Sequence, residues 1–290
     1  MLKKAAGDRI FSLALLTPAV LLTVIFILVP VADSVVKSFL DYRVRNIISG
    51  VPGTWNNFAN YLKLFQNEKL LPAIGITFGF VALAAGMQFI LGMALALILH
   101  SKVRGSKFLQ SIMMTPWVVP TIISALIWMW IFQPQYGLLK YFADVAILNR
   151  PHLALFGIAI AALWKQIPLS GLLLLASLQN VPTNMVEAAK IDGANGPARF
   201  FRIMLPAMKS TIAVIFSMAV IENFKQFPLV WTMTGGGPNN ATTTLAILSY
   251  REAFVSNNLG SGAAVTTIWM LLMILVLLLY NRLMRTDGPD

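Results

Sequence analysis

Six long apolar stretches separated by shorter polar connectors dominate the chain, at about residues 10–36, 73–99, 109–132, 153–178, 211–233 and 263–283. A helix needs about 20 mostly apolar residues to cross hydrocarbon, and each stretch has that length. None alternates with the period of two that a lipid-facing barrel strand requires. In hydrocarbon the backbone of such a run is satisfied by a helix. The pattern therefore predicts an all-α polytopic membrane protein, with six transmembrane helices in one domain over residues 1–290. Pro18, Pro116, Pro120 and Pro168 interrupt the runs and mark kinks or packing points.

Composition agrees with the pattern. Hydrophobic residues make up 58% of the chain and charged ones 11%, against about 25% charged in a soluble domain. The net charge of +11 raises nucleic-acid binding. However, there is no basic run or stripe, and the lysines and arginines lie beside apolar segments, where they orient membrane helices. Nucleic acid is excluded on that ground, and the lipid bilayer is the expected surroundings. The absence of cysteine rules out disulfides, thiolate chemistry and cysteine metal sites. Lys3, Lys4 and Arg9 ahead of the first apolar run read as a retained signal anchor, because the run exceeds the roughly 7–15 residues of a cleaved signal core.

Orientation follows from the connectors. Lys3, Lys4, Arg9, Lys102, Arg104, Lys107, Lys190, Arg199, Arg202, Lys209, Arg282 and Arg285 fall on one side, in little sequence. Lys37, Arg43, Arg45, Lys63, Lys69, Lys140, Arg150, Lys225 and Arg251 occupy longer loops on the other. By density the first side is cytoplasmic, with both termini inside. The outer loop from Lys37 to Pro72 carries Trp55, Phe58 and Tyr61, which are expected to anchor it at headgroup level.

The connector 179–210 differs from the rest. Asn184 suits a helix cap with Glu187 reaching back, and Gly193 suits a left-handed helix end. A second short helix is expected to start at Pro197 and stop before Pro206. Met185, Ala188, Ala189 and Ile191 offer small and apolar surface to a partner. An amphipathic connector lying on the membrane fits the same residues.

Glu187-Ala188-Ala189, then Asp192-Gly193-Ala194, then Phe200, Ile203 and Leu205-Pro206 resemble the EAA loop of binding-protein-dependent ABC importer permeases. The Asp-Gly form is similar to the carbohydrate-uptake branch, that of MalF/UgpA-like inner-membrane subunits. The likeness extends over nearly the whole chain. Thr17-Pro18-Ala19, Trp55 through Tyr61, Pro116 through Gly137, Thr234 through Pro238 and Gly262-Ala263-Ala264 all match the branch. The resemblance implies a type I permease fold in a prokaryotic inner membrane, with a cytoplasmic coupling helix. Glu187, Ala188, Ala189, Asp192, Gly193 and Ala194 would then meet an ATPase. It also implies a second homologous permease, two cytoplasmic ATPase subunits and an extracytoplasmic sugar-binding protein as partners.

No Gly-x-x-x-x-Gly-Lys phosphate loop occurs, since Gly235-Gly236-Gly237 runs into Pro238. ATP and magnesium are thus expected in partner subunits, with no cofactor, catalytic residue or metal site in this chain. His100 and His152 stand alone, and the chain reads as no enzyme. Ionisable groups inside apolar runs raise a functional hypothesis by default. Two sets qualify: Glu222, Asn223 and Gln226 in the fifth run, and Trp164 with Lys165 ahead of Gln166 in the fourth. Glu222 and Lys225 can also form a structural pair, and Lys165 can pair between helices. Polar groups beside Phe224, Phe227 and Trp231 suit a sugar, and the resemblance gives Glu222 and Asn223 a place at the substrate. The expected function is import of a di- or oligosaccharide or related glycoside, with glycerol phosphate also fitting. An ion-coupled secondary carrier or channel is the rival, and would normally show paired carboxylates or repeats.

Overall fold

The computed structural model describes residues 14–66, 68–101, 105–143 and 145–284. The start of the first run at Ile10 lies outside them, as do Lys3, Lys4, Arg9, Lys102, Arg104, Arg285 and the side chain of Lys107. In chain order the helices are α1 (Ala14–Ser38), α2 (Val44–Ser49), α3 (Ala59–Gln66), α4 (Leu70–His100), α5 (Phe108–Val118), α6 (Thr121–Ile131) and α7 (Pro151–Gln179). They continue with α8 (Thr183–Ile191), α9 (Gly196–Ala207), α10 (Lys209–Phe224), α11 (Pro228–Thr234), α12 (Leu245–Tyr250) and α13 (Leu259–Met284). Among the described residues α1, α4, α7 and α13 are long and apolar enough to cross a membrane. The count is six if the bent pairs α5–α6 (92°) and α9–α10 (77°) are each one span.

The chain divides into two compact units, residues 1–68 with 248–268, and 69–247 with 269–290. In the first, no side chain of α1 before Ser38 is buried. Two short strands, β1 (Leu40–Asp41) and β2 (Thr54–Trp55), pair antiparallel with Leu40 opposite Trp55. The loop aromatics converge on Phe39, with ring centroids 5.5 Å from Trp55, 5.1 Å from Phe58 and 5.2 Å from Tyr61. They therefore hold the loop together through one another, which the expectation of headgroup anchors did not include. Buried Asn60 donates to the carbonyls of Ser38 and Leu40, both at 2.9 Å. A side chain at Gly260 would come within 2.9 Å of that amide, so only glycine fits.

The second unit is built on α4 and α7, which meet through small residues. Ala84, Ala96, Ala154, Ala161 and Ala162 are buried. A Cβ at Gly92 would lie 3.3 Å from that of Ser170, and one at Gly171 only 2.7 Å from Leu95. Without a hydrophobic drive between helices in lipid, such close approach supplies the packing. Against this pair, α10 brings Ala219, Val220 and Phe224 onto Val81 and Ala85, joined by Trp269 and Met273 of α13. Phe132, Leu229, Val230 and Met233 form a further cluster with Phe80 and Ile158.

The apolar run 211–233 is not one helix. It ends at Phe224, and Pro228 opens α11, where a missing N–H matters least. Three five-residue stretches, Val24–Leu28, Phe200–Met204 and Arg251–Val255, are wound as π-helix.

Candidate functional site

A cavity of about 340 Å³ opens within the second unit. Gln88 of α4, Trp117 and Thr121 at the α5–α6 bend, Lys165, Gln166 and Ser170 of α7, and Glu222 and Gln226 at the end of α10 supply its polar edge. Leu169, Leu173, Ile215 and Met218 complete the wall. Four polar side chains of the largely apolar α4–α7 frame, Gln88, Lys165, Gln166 and Ser170, thus face one place.

The predicted pathway residues are only partly brought together. Glu222, Gln226 and Lys165 line the cavity. Asn223 does not: it is 2% exposed and sits behind the wall. Its Nδ2 lies within hydrogen-bonding distance of Gln88 Oε1 (3.1 Å), Gln166 Oε1 (3.1 Å) and the Ala219 carbonyl (2.8 Å). Gln88 Nε2 in turn donates to Ser170 Oγ at 2.7 Å. The result is a buried polar knot joining α4, α7 and α10. The Oδ1 of Asn223 has no protein partner.

Trp164 also stands away from the cavity, its ring 6.1 Å from Trp128 in an edge contact. Nor do the aromatics expected beside the solute line it. Phe224 is buried against Phe78, and Phe227 stacks on Trp231. Trp117 is the aromatic that does. Lys165 donates from Nζ to the carbonyls of Trp117 (3.0 Å) and Val119. The Glu222–Lys225 pair forms at 2.9 Å, with side chains 59% and 53% exposed. Among the described residues no group of three or more His, Cys, Asp or Glu could hold a metal.

Gln88, Thr121 and Ser170 gave no signal of their own. A lone glutamine in a 31-residue apolar helix becomes informative only once α4 is known to face α7 and α10.

The connector folds as the helical hairpin α8–α9. Gly193 adopts φ +83°, Gly193 N–H donates to Lys190 O at 3.2 Å and Ala194 N–H to Ala189 O at 2.9 Å. This is the paired closure of a glycine-ended helix. The expected cap at Asn184 is absent: Thr183 is already helical after an extended Pro182, and Asn184 Oδ1 accepts only from Met185 N–H. The second helix is capped by Asn195, which accepts from Ala198 N–H at 2.9 Å. It does not stop before Pro206 but runs through it to Ala207. The π-turn Phe200–Met204 widens the helix just ahead, where the proline ring would otherwise clash with the preceding turn. Glu187, Ala188, Asp192 and Gly193 are exposed, Ala194 is half-buried and Ile191 is 87% exposed. Ala189 turns inward and is buried, so it offers no free surface.

Residues 88–286 match the model of the family described as binding-protein-dependent transport system inner membrane component. The chain belongs to this family. It is 34% identical over 267 residues to the sn-glycerol-3-phosphate transport system permease protein UgpA of Yersinia enterocolitica, covering 90% of this chain and 89% of that protein. It is 31% identical over 277 residues to the trehalose/maltose transport system permease protein MalF of Thermococcus litoralis (93% and 92%). A sulfoquinovosyl glycerol transport system permease protein, SmoG of Agrobacterium fabrum, is 30% identical over 286 residues (97% and 92%). In fold it is similar to a chain of a bacterial ABC transporter involved in the import of the acidic polysaccharide alginate. There the TM-score is 0.82 at 21% identity, over 99% of each chain. The relatives are transport permeases, not enzymes, and the fold is that of ABC importer permeases.

Proposed function

We propose that this chain is one permease of an ATP-driven importer for a sugar or a polyol glycoside. The observation that supports this most is the cavity edged by Gln88, Gln166, Ser170 and Gln226. Carboxamides both donate and accept, as a hydroxyl-rich solute needs when it leaves water. The named solutes of the relatives, glycerol phosphate, trehalose or maltose and sulfoquinovosyl glycerol, are all polyols.

The solute arrives on an extracytoplasmic binding protein. The cavity is half of a path completed by a second, homologous permease. Both termini are cytoplasmic, and the α8–α9 hairpin seats on one of two ATPase subunits, which bind ATP and magnesium. Glu187, Ala188, Asp192 and Gly193 form the contact, while Ala189 and Ala194 set the turn behind it. Loaded binding protein outside and ATP inside favour the same conformation, so each raises the other's effect. Glu222, Gln226 and Lys165 meet the solute, with Asn223 holding the wall and Trp164 packing behind it.

Replacing Gly193 by Val tests the coupling. No atom of this chain lies within 4 Å of the added Cβ, so within the chain the change acts through the left-handed backbone. ATP-driven uptake into vesicles should be lost while solute capture by the binding protein is kept. Unchanged uptake would remove the hairpin from the mechanism. Gentle purification from native membranes should recover an ATPase and a second six-span permease, and recovery of this chain alone would return the carrier reading.

A further inference from the structure

Where α5 gives way to α6 the backbone is extended, with ψ 130° at Val119 and 139° at Pro120. A helix continuing through this point would pair the carbonyls of Trp117 and Val119 with amides four residues on. The bend removes those partners, and a bare carbonyl in hydrocarbon is costly. Lys165, on α7, supplies the donors that the bend removes, bonding both carbonyls. The exchange works both ways, since an ammonium at membrane depth needs partners as much as the carbonyls do.

The placement of Lys165 along α7 adds a second observation. From Lys165 the helix runs on to Gln179, and α8 starts at Thr183. At 1.5 Å per residue that is about 21 Å of continuous helix between Lys165 and the base of the hairpin. At its other end the α5–α6 bend contributes Trp117 and Thr121 to the cavity wall.

We propose that Lys165 is a positioning residue that links the hairpin to the cavity. Movement of α8–α9 travels along α7, and the ammonium passes it to the bend, displacing the Trp117–Thr121 wall. This rests on the importer reading above.

The chain contains no cysteine, so spin labels on the F108C/W130C double variant report the bend directly. Both positions are exposed, one on each side of it. The measurement is the distance distribution in the assembled transporter, without nucleotide and with ATP plus vanadate. In the otherwise native chain the distribution should shift between the two states. Lys165→Met should abolish the shift, and Lys165→Arg, whose fork can still serve two carbonyls, should restore it. Pro120→Ala, which returns an amide to the bend, should suppress the shift with Lys165 intact and covers the case in which Lys165→Met fails to assemble. A Lys165→Met or Pro120→Ala complex that shifts like the native one overturns the linkage alone. A native complex with no shift overturns the linkage together with the importer reading of this span.

Discussion

The second unit contains two kinds of apolar run. α4 and α7 pass 31 and 29 residues without a break, whereas the third and fifth runs are interrupted at Val119–Pro120 and Lys225–Phe227. Proline alone does not explain the difference, for Pro168 sits inside α7 and the helix continues. Pro168 is buried within α7. Pro120 has a second proline four residues earlier and a lysine opposite that satisfies the opened backbone. The straight pair is a frame held by close approach, and the broken pair adds Trp117, Thr121, Glu222 and Gln226 to a cavity that the frame lines with Gln88, Lys165, Gln166 and Ser170.

The sharpest way to break this contrast is to part the frame. Gly171→Leu drives a side chain into Leu95 and should destabilise the fold by about 3 kcal/mol. The readout is a lowered Tm in lipid nanodiscs, and an unchanged Tm would mean that close α4–α7 approach is dispensable. Next comes the knot. Asn223→Leu leaves the carbonyl oxygens of Gln88 and Gln166 without their donor and should cost about 2 kcal/mol on the same scale. The smallest stability effect belongs to its neighbour. Glu222→Ala removes an exposed pair worth under about 0.5 kcal/mol, yet it should change solute uptake. Equal losses of stability at Asn223 and Glu222 would erase the distinction between buried knot and cavity edge.

Much of this was legible in the residues, because lipid tolerates few arrangements. The six apolar runs, the left-handed turn at Gly193 and the Glu222–Lys225 pair each follow from local rules of length, backbone freedom and spacing. What escaped depended on neighbours. Pro228 follows the polar stretch Glu222–Gln226 inside the fifth run, and only the structure shows it opening a new helix. Asn184 has the chemistry of a cap, but Pro182 starts the helix too early for it to act as one. Pro206 should end a helix, and a widened turn ahead of it prevents that. Asn223 and Glu222 are adjacent in sequence with opposite surroundings, a difference of about 100° around one helix that polarity alone does not reveal.

The π-wound stretches have a consequence for how chains of this kind change in length. Each closes its bonds five residues back and so holds one residue more than an ordinary turn. Deleting one residue within Phe200–Met204 would let that turn revert to α and leave the helix beyond it in phase. The same deletion in the middle of α4 would swing everything downstream through about 100°, carrying Gly92 off Ser170. Single-residue insertions and deletions among relatives should therefore gather at these three turns and be missing from α4 and α7.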